Sequence, residues 1–201
     1  MSVSPQQFEQ MKKRLSGRST ASPVVEADQG SAVVANQIII GVDPSLRGTG
    51  YGVVKMTRPN PVALAHGTIV CPATWEHSRC LLKIFETLRD AAHEHHPTVC
   101  AIEGLFFAQN LKTALIMGEA RGAALAAMAG AGLEIYEIAP RKVKQAIVGY
   151  GAARKEAVAK MVQRLLNLAA APDPDAADAL AIALAHAWDG GRTRIGVPKK
   201  I

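Results

Sequence analysis

Three apolar stretches that read as β-strands, residues 37–44, 49–57 and 62–70, follow one another with only short turns between them. Pro44 to Gly48 punctuates the first turn and "RPNP" at 58–61 the second. Runs so closely spaced, with no helix between them, pair as antiparallel hairpins. The pattern then changes. Residues 74–95 have helical spacing, with Trp75, Leu81, Leu82, Phe85 and Leu88 expected on one side and Pro97 closing the segment. A strand follows in "TVCAIEGLF" (98–106), a long helix at about 109–131, and a strand in "LEIYEI" (133–138). Pro140 opens a short helix, 153–168 is amphipathic, and "DPDAADALAIALAHAW" forms the last helix. Hairpin strands followed by alternating helix and strand imply a mixed, five-stranded α/β sheet with helices on both faces.

A chain of 201 residues, 49% hydrophobic, supports one such domain with a proper core. The expected body is 37–188. Residues 1–36 are polar and mixed in charge, apart from a short helical stretch around 5–15, and read as a mostly disordered extension. Residues 189–201 read as a short basic tail. The N-terminus "MSVSPQQFEQ" lacks the apolar core of a signal peptide, and "GAALAAMAGAGL" at 122–133 is too short and glycine-rich to span a bilayer. A soluble chain with no membrane partner is expected. Cys71, Cys80 and Cys100 are odd in number and form no C-x-x-C pair, which suits a reducing, cytoplasmic setting.

The net charge of +6 and pI near 9.4 suggest a polyanionic partner, and the distribution is more telling. Residues 141–164 hold Arg141, Lys142, Lys144, Arg154, Lys155, Lys160 and Arg164 against the single acid Glu156. A basic face is expected there, set against the blander reading of a solvated helix surface.

The acids carry the chemistry. Asp43 ends the first apolar strand, and Glu103 ends the strand "VCAI". Taken singly, Asp43 would be a turn-forming residue before Pro44, and Glu103 an edge or loop acid. Asp173 can cap the last helix, with Pro174 in its first turn and Asp175 favoured by the helix dipole. Asp178 is harder to dismiss, because positions 175, 178 and 182 share one face and like charges three apart repel. Clustered carboxylates without Cys or His suit a hard cation, Mg²⁺ or Mn²⁺. Two such ions about 3.5–4 Å apart would clamp the attacking and leaving oxygens of a phosphodiester.

Five motifs, "GVDPSLRGTGYGVV", "AIEGLFFAQN", "GEARGAAL", "RKVKQAIVGYGAARK" and "DPDAADALAIALAHA", resemble in order and spacing the RuvC family of bacterial Holliday junction resolvases. The resemblance spans about residues 37–188. It implies an RNase H-like fold and a homodimer that nicks four-way DNA junctions symmetrically with Mg²⁺, two ions per site, in recombination and repair. It also implies a branch-migration helicase complex of the RuvA and RuvB type as partner. By position, Asp43, Glu103, Asp175 and Asp178 match the family's catalytic acids. Lys144 and Lys155 match basic residues that meet DNA, and Phe106 matches an aromatic at the junction. Arg141, Lys142 and Arg154 join them as expected DNA contacts. Ser45 stands where the family usually has Gly, which could alter the turn near the scissile phosphate. The family offers no role for the 36-residue extension.

Other features have plainer readings. "HEHH" at 93–96 ends a polar helix, where His is favoured by the dipole. Gly118, Gly122, Ala126 and Gly130 repeat every four residues and mark a close helix contact, which the resemblance assigns to the dimer. Phe106 and Phe107 are adjacent, so on a strand they cannot both face inward. Two other functions compete with the nuclease. A phosphate-binding ATPase or sugar kinase opens with a similar strand, Asp and Gly/Thr hairpin, but it needs two such domains. A catalytically dead junction-binding protein has no use for four clustered acids, which cost stability.

Overall fold

A computed structural model of the chain describes residues 36–104, 110–189 and 199–201. The hairpin strands are β1 (Ile38–Asp43), β2 (Gly48–Lys55) and β3 (Val62–Val70). After them come α1 (His77–His95), β4 (Val99–Glu103), α2 (Leu111–Gly130) and β5 (Glu134–Ile138), then α3 (Pro140–Val148), α4 (Lys155–Leu165), α5 (Pro174–Asp189) and β6 (Lys199–Lys200). The strands form one sheet in the order β3-β2-β1-β4-β5-β6. β2 runs antiparallel to both β1 and β3, β1–β4 and β4–β5 are parallel, and β6 runs antiparallel to β5.

The sheet therefore has six strands among the described residues, not the five expected. The addition comes from the end of the basic tail, where Tyr136 pairs with Lys200 and Glu137 with Lys199. Lys200 also meets the carboxylate of Glu134. Pairing of this kind runs through the backbone and leaves no hydropathy pattern in the sequence.

Continuous apolar runs in β1 and β4 follow from burial on both faces. Ile40, Val42, Cys100 and Ile102 face one core, shared with Ile84 and Leu88 of α1 and Met128 of α2. Ile39, Val99 and Ala101 face the other, with Val143, Val158, Leu180 and Leu184 from α3, α4 and α5. Helices thus cover both faces, as expected. β3, at the sheet edge, alternates exposed and half-buried positions from Val62 to Gly67 and buries Ile69. On α1 the buried stripe is Cys80, Ile84, Leu88, Ala91 and Ala92, while Trp75 precedes the helix and Leu82 is 55% exposed. The expectation for Leu82 was wrong because it lies about 100° around the axis from Leu81, off the stripe. No described helix is long and apolar enough to cross a membrane.

How closely α5 approaches the sheet decides where its acids fall. A Cβ placed on Gly41 would lie 2.0 Å from the Ala179 carbonyl oxygen, and one on Gly50 2.0 Å from that of Asp175. At Gly52 it would meet the Leu180 side chain at 2.7 Å. Glycine in both strands lets helix backbone rest on strand backbone. At the start of the helix the Asp173 carbonyl accepts from Ala177 N–H at 2.8 Å, with Pro174 in the first turn.

Candidate active site

β1 and β4 are parallel neighbours, with Val42 opposite Ile102, so their C-terminal acids Asp43 and Glu103 emerge side by side. α5 crosses above them and brings Asp178 to the same place. Asp43, Glu103 and Asp178 line one cavity of about 260 Å³. Lys144 from α3 and Lys155 from α4 stand in its wall, with Val143, Val158 and Ile182 as the apolar lining. Asp175 lies about one turn earlier on α5, beside Gly48, where an added Cβ would come within 2.8 Å of its Oδ2. Its charge still bears on Asp43 and Lys155.

The electrostatics are those of acids pressed together. Burial pushes Glu103 up to about 8, reinforced by the charge of Asp43 and a hydrogen bond between the two carboxyls. Asp43 is also raised, chiefly by burial and further by Asp178 and Asp175, while the bond to Glu103 pulls the other way. Both acids are thus pushed toward their protonated forms. Lys155 Nζ donates to Asp178 Oδ2 at 2.7 Å, and that bond raises its own affinity for the proton.

Among the described residues no three His, Cys, Asp or Glu side chains are arranged so that they could hold a metal ion as they stand. Asp43 and Glu103 are held to each other instead, and Asp178 is held by Lys155. The donor set nevertheless fits a hard cation: carboxyl groups from two strand ends and a helix converge on one cavity whose lining holds no Cys or His.

The turn after Asp43 is fastened by Thr49, which is fully buried. Its Oγ1 donates to the Ser45 carbonyl at 2.5 Å and accepts from Ser45 N–H at 3.1 Å. Only the backbone of Ser45 is used, and its side chain is exposed. Nor is Ser45 among the described non-glycine residues with positive φ, which are Asn36, His96 and Asn167. The turn makes no demand there that only Gly could meet.

Of the other expected DNA contacts, Arg141 is exposed on α3 and Lys142 half-buried beside it. Arg154 is exposed and starts α4, its carbonyl accepting from Ala157 N–H at 3.1 Å. Phe106 and Phe107 lie outside the described residues. His93, Glu94 and His96 are exposed, and His96 closes α1 in the left-handed conformation. Gly118, Gly122, Ala126 and Gly130 are exposed too, and an added Cβ at any of the three glycines would meet nothing within 4 Å. The expected close contact at this stripe is therefore not made within the described residues. Two residues went unnoticed in the sequence: Thr49 and Arg121. The signal for Arg121 was available, as a lone cation in the alanine-rich run "GEARGAALAAMAG".

Comparison with known proteins places the chain in a family. The family model described as crossover junction endodeoxyribonuclease RuvC matches residues 39–186. The protein of that name from Bordetella parapertussis is 44% identical over 152 residues, covering 76% of this chain and 84% of its own length. Its Rubrobacter xylanophilus counterpart is 41% identical over 167 residues, covering 81% and 93%. Among solved structures, Thermus thermophilus RuvC in complex with a Holliday junction substrate superposes with a TM-score of 0.75 at 34% identity, covering 82% of this chain and 99% of that one. The chain belongs to the RuvC family of crossover junction endodeoxyribonucleases.

Proposed function

We propose that the chain is an endonuclease that resolves four-way DNA junctions by hydrolysing one phosphodiester in each of two strands, with Mg²⁺ bound by Asp43, Glu103, Asp175 and Asp178. The observation that carries the reading is the convergence of Asp43, Glu103 and Asp178 on one cavity walled by Lys144 and Lys155. Bound Mg²⁺ would polarise the phosphodiester and offset the charge that develops as it is hydrolysed. The chain's own part is to hold carboxylates rigidly at strand ends and to keep Lys155 over Asp178. Lys144 and Lys155 are placed to attract the phosphate, and Arg141, Lys142 and Arg154 to follow the backbone around it.

Paired cuts need two sites, so the proposal includes a homodimer. The exposed stripe of Gly118, Gly122, Ala126 and Gly130 on α2, with Leu111 and Leu115 at 76% and 59% exposure on the same helix, supports it. A branch-migration helicase of the RuvA and RuvB type and a cytoplasmic location complete the reading, the latter supported by the buried thiols of Cys71, Cys80 and Cys100.

The test is a nicking assay on a four-way junction with Mg²⁺, alongside linear duplex of the same sequence and ATP hydrolysis. Junction-selective paired nicks that vanish with EDTA, and in Asp43→Asn and Asp178→Asn variants that still bind junctions, are expected. Binding without nicking would favour a junction-binding protein, and ATP turnover without nicking would favour the phosphate-binding fold.

A further inference from the structure

Arg121 is an oddity of α2. Its neighbours Ala120 and Ala124 are fully buried, and Arg121 itself is only 8% exposed on a helix face otherwise built for packing. A buried guanidinium costs several kcal/mol unless its donors are taken. Here they are taken by two strands. Nη2 meets Glu137 Oε2 of β5 at 2.5 Å, and Nη1 donates to the main-chain carbonyl of Glu103 at the end of β4.

The placement matters more than the pairing. Glu103 shares its sheet face with Ala101, two residues earlier, which belongs to the core under α3, α4 and α5. Arg121 comes from the opposite layer, among the residues packed with Ile102 and Cys100. It therefore reaches the main chain of Glu103 from behind, while the carboxyl points into the acidic cavity. Pairing between β1 and β4 stops at Val42 and Ile102, one residue before Glu103. On the other side, Gly104 N–H bonds the Ile138 carbonyl at 2.9 Å. Arg121 is thus the side chain that fixes the last carbonyl of β4 where the β1 ladder no longer does.

We propose that Arg121 is a positioning residue for Glu103: its guanidinium, aimed by Glu137, clamps the end of β4 from the far face of the sheet and so sets where the Glu103 carboxyl stands against Asp43 and Asp178. The inference rests on the proposed role of Glu103 in metal-dependent nicking. A planar fork holds a carboxylate on one strand and a carbonyl on the next in one fixed geometry. Lysine carries the charge without the fork.

The experiment compares wild type, Glu103→Gln, Arg121→Lys and Glu137→Gln as full-length chains. Single-turnover junction nicking at saturating protein gives the cleavage rate and the Mg²⁺ concentration for half-maximal rate. Junction affinity is measured in EDTA, and Mn²⁺ binding to the protein without DNA by the electron paramagnetic resonance of free Mn²⁺. Support orienting a ligand from outside the first coordination sphere is worth about 10- to 100-fold in metal affinity or activity. Arg121→Lys should lose nicking and Mn²⁺ affinity in that range, with junction affinity unchanged. Glu137→Gln, which leaves the guanidinium in place but removes the partner that aims it, should show a smaller loss of the same kind. A merely structural Arg121 would lower the melting temperature and the active fraction while leaving the rate per folded molecule and the Mn²⁺ affinity at wild-type values, and that result overturns the proposal. If Arg121→Lys does not fold, Glu137→Gln decides, and a wild-type rate and Mn²⁺ affinity there overturn it equally. The failure of the underlying reading looks different: wild type and Glu103→Gln would then nick alike.

Discussion

Replacing Glu103 by Gln in the metal-free protein should raise its stability, and by an amount that depends on pH. Glu103 titrates at about 8 in the fold against an ordinary value of 4.5. Between those values the folded chain keeps a proton that the unfolded chain has released, so stability falls as pH rises through the window. Below it, both states are protonated and the strain is absent. The interval corresponds to roughly 5 kcal/mol at alkaline pH. Asp43 and Glu103 titrate as a pair and both retain some contact with water, so one substitution should recover about 2–3 kcal/mol of it. Urea denaturation in EDTA at intervals from pH 5 to pH 9 measures this directly. The curves of wild type and Glu103→Gln should lie closest at the acid end, separate progressively between pH 5 and pH 8 and run parallel above, with the variant the more stable. Added Mg²⁺ at pH 8 should stabilise wild type more than the variant, because the ion binds the charged form. Parallel curves across the whole range would show that neither burial nor Asp43 raises Glu103, and the account of a crowded acidic cavity would fail.

Lys155→Met removes the 2.7 Å partner of Asp178; nicking should fall while stability changes by less than about 1 kcal/mol, since the ammonium is exposed, as a melting curve would show. Neutralising Arg141, Lys142 and Arg154 together should weaken junction binding for every sequence and reduce the slope of log affinity against log salt by about 2–3; an unchanged slope in a filter-binding or anisotropy titration would remove them from the DNA path. Gly122→Leu places bulk on an exposed helix position where an added Cβ meets nothing within 4 Å. The subunit should fold at least as well, because leucine has the higher helix propensity. Sedimentation equilibrium should nevertheless find it monomeric, and an intact dimer would place the interface elsewhere.

Much of this architecture was legible because the strands are buried on both faces. An apolar run such as "IIIGV" or "VCAI" has little else to be, and an acid at its end has to emerge where the strand leaves the sheet. Asp43 and Glu103 could therefore be matched in advance, and Asp178 joined them once helical spacing put it on the face of Ile182. Features that rest on backbone geometry were not legible. β6 is two lysines paired through main-chain bonds, and nothing in "KK" announces a strand. Ser45 looked consequential because its side chain differs from glycine, yet the turn there is held by backbone atoms and the buried hydroxyl of Thr49. Arg121 is a lone cation in an alanine-rich run, and nothing in that run says which strand end its guanidinium meets. Phe106 remains a reading of the sequence, outside the described residues.

The seam of Gly41, Gly50 and Gly52 bears on how mutational data from this chain should be interpreted. A survey that replaces each residue by alanine measures what is lost when a side chain is taken away, and these three positions have nothing to take. At Gly41 and Gly50 alanine is already an insertion, one methyl group driven to 2.0 Å from a helix carbonyl. Tolerance there should be graded by volume and be indifferent to polarity, with serine no kinder than alanine. The penalty should also appear at a distance. A helix that backs away from the strands carries Asp175 and Asp178 with it, so a change in β1 or β2 would register as damage to carboxylates more than a hundred residues further along the chain.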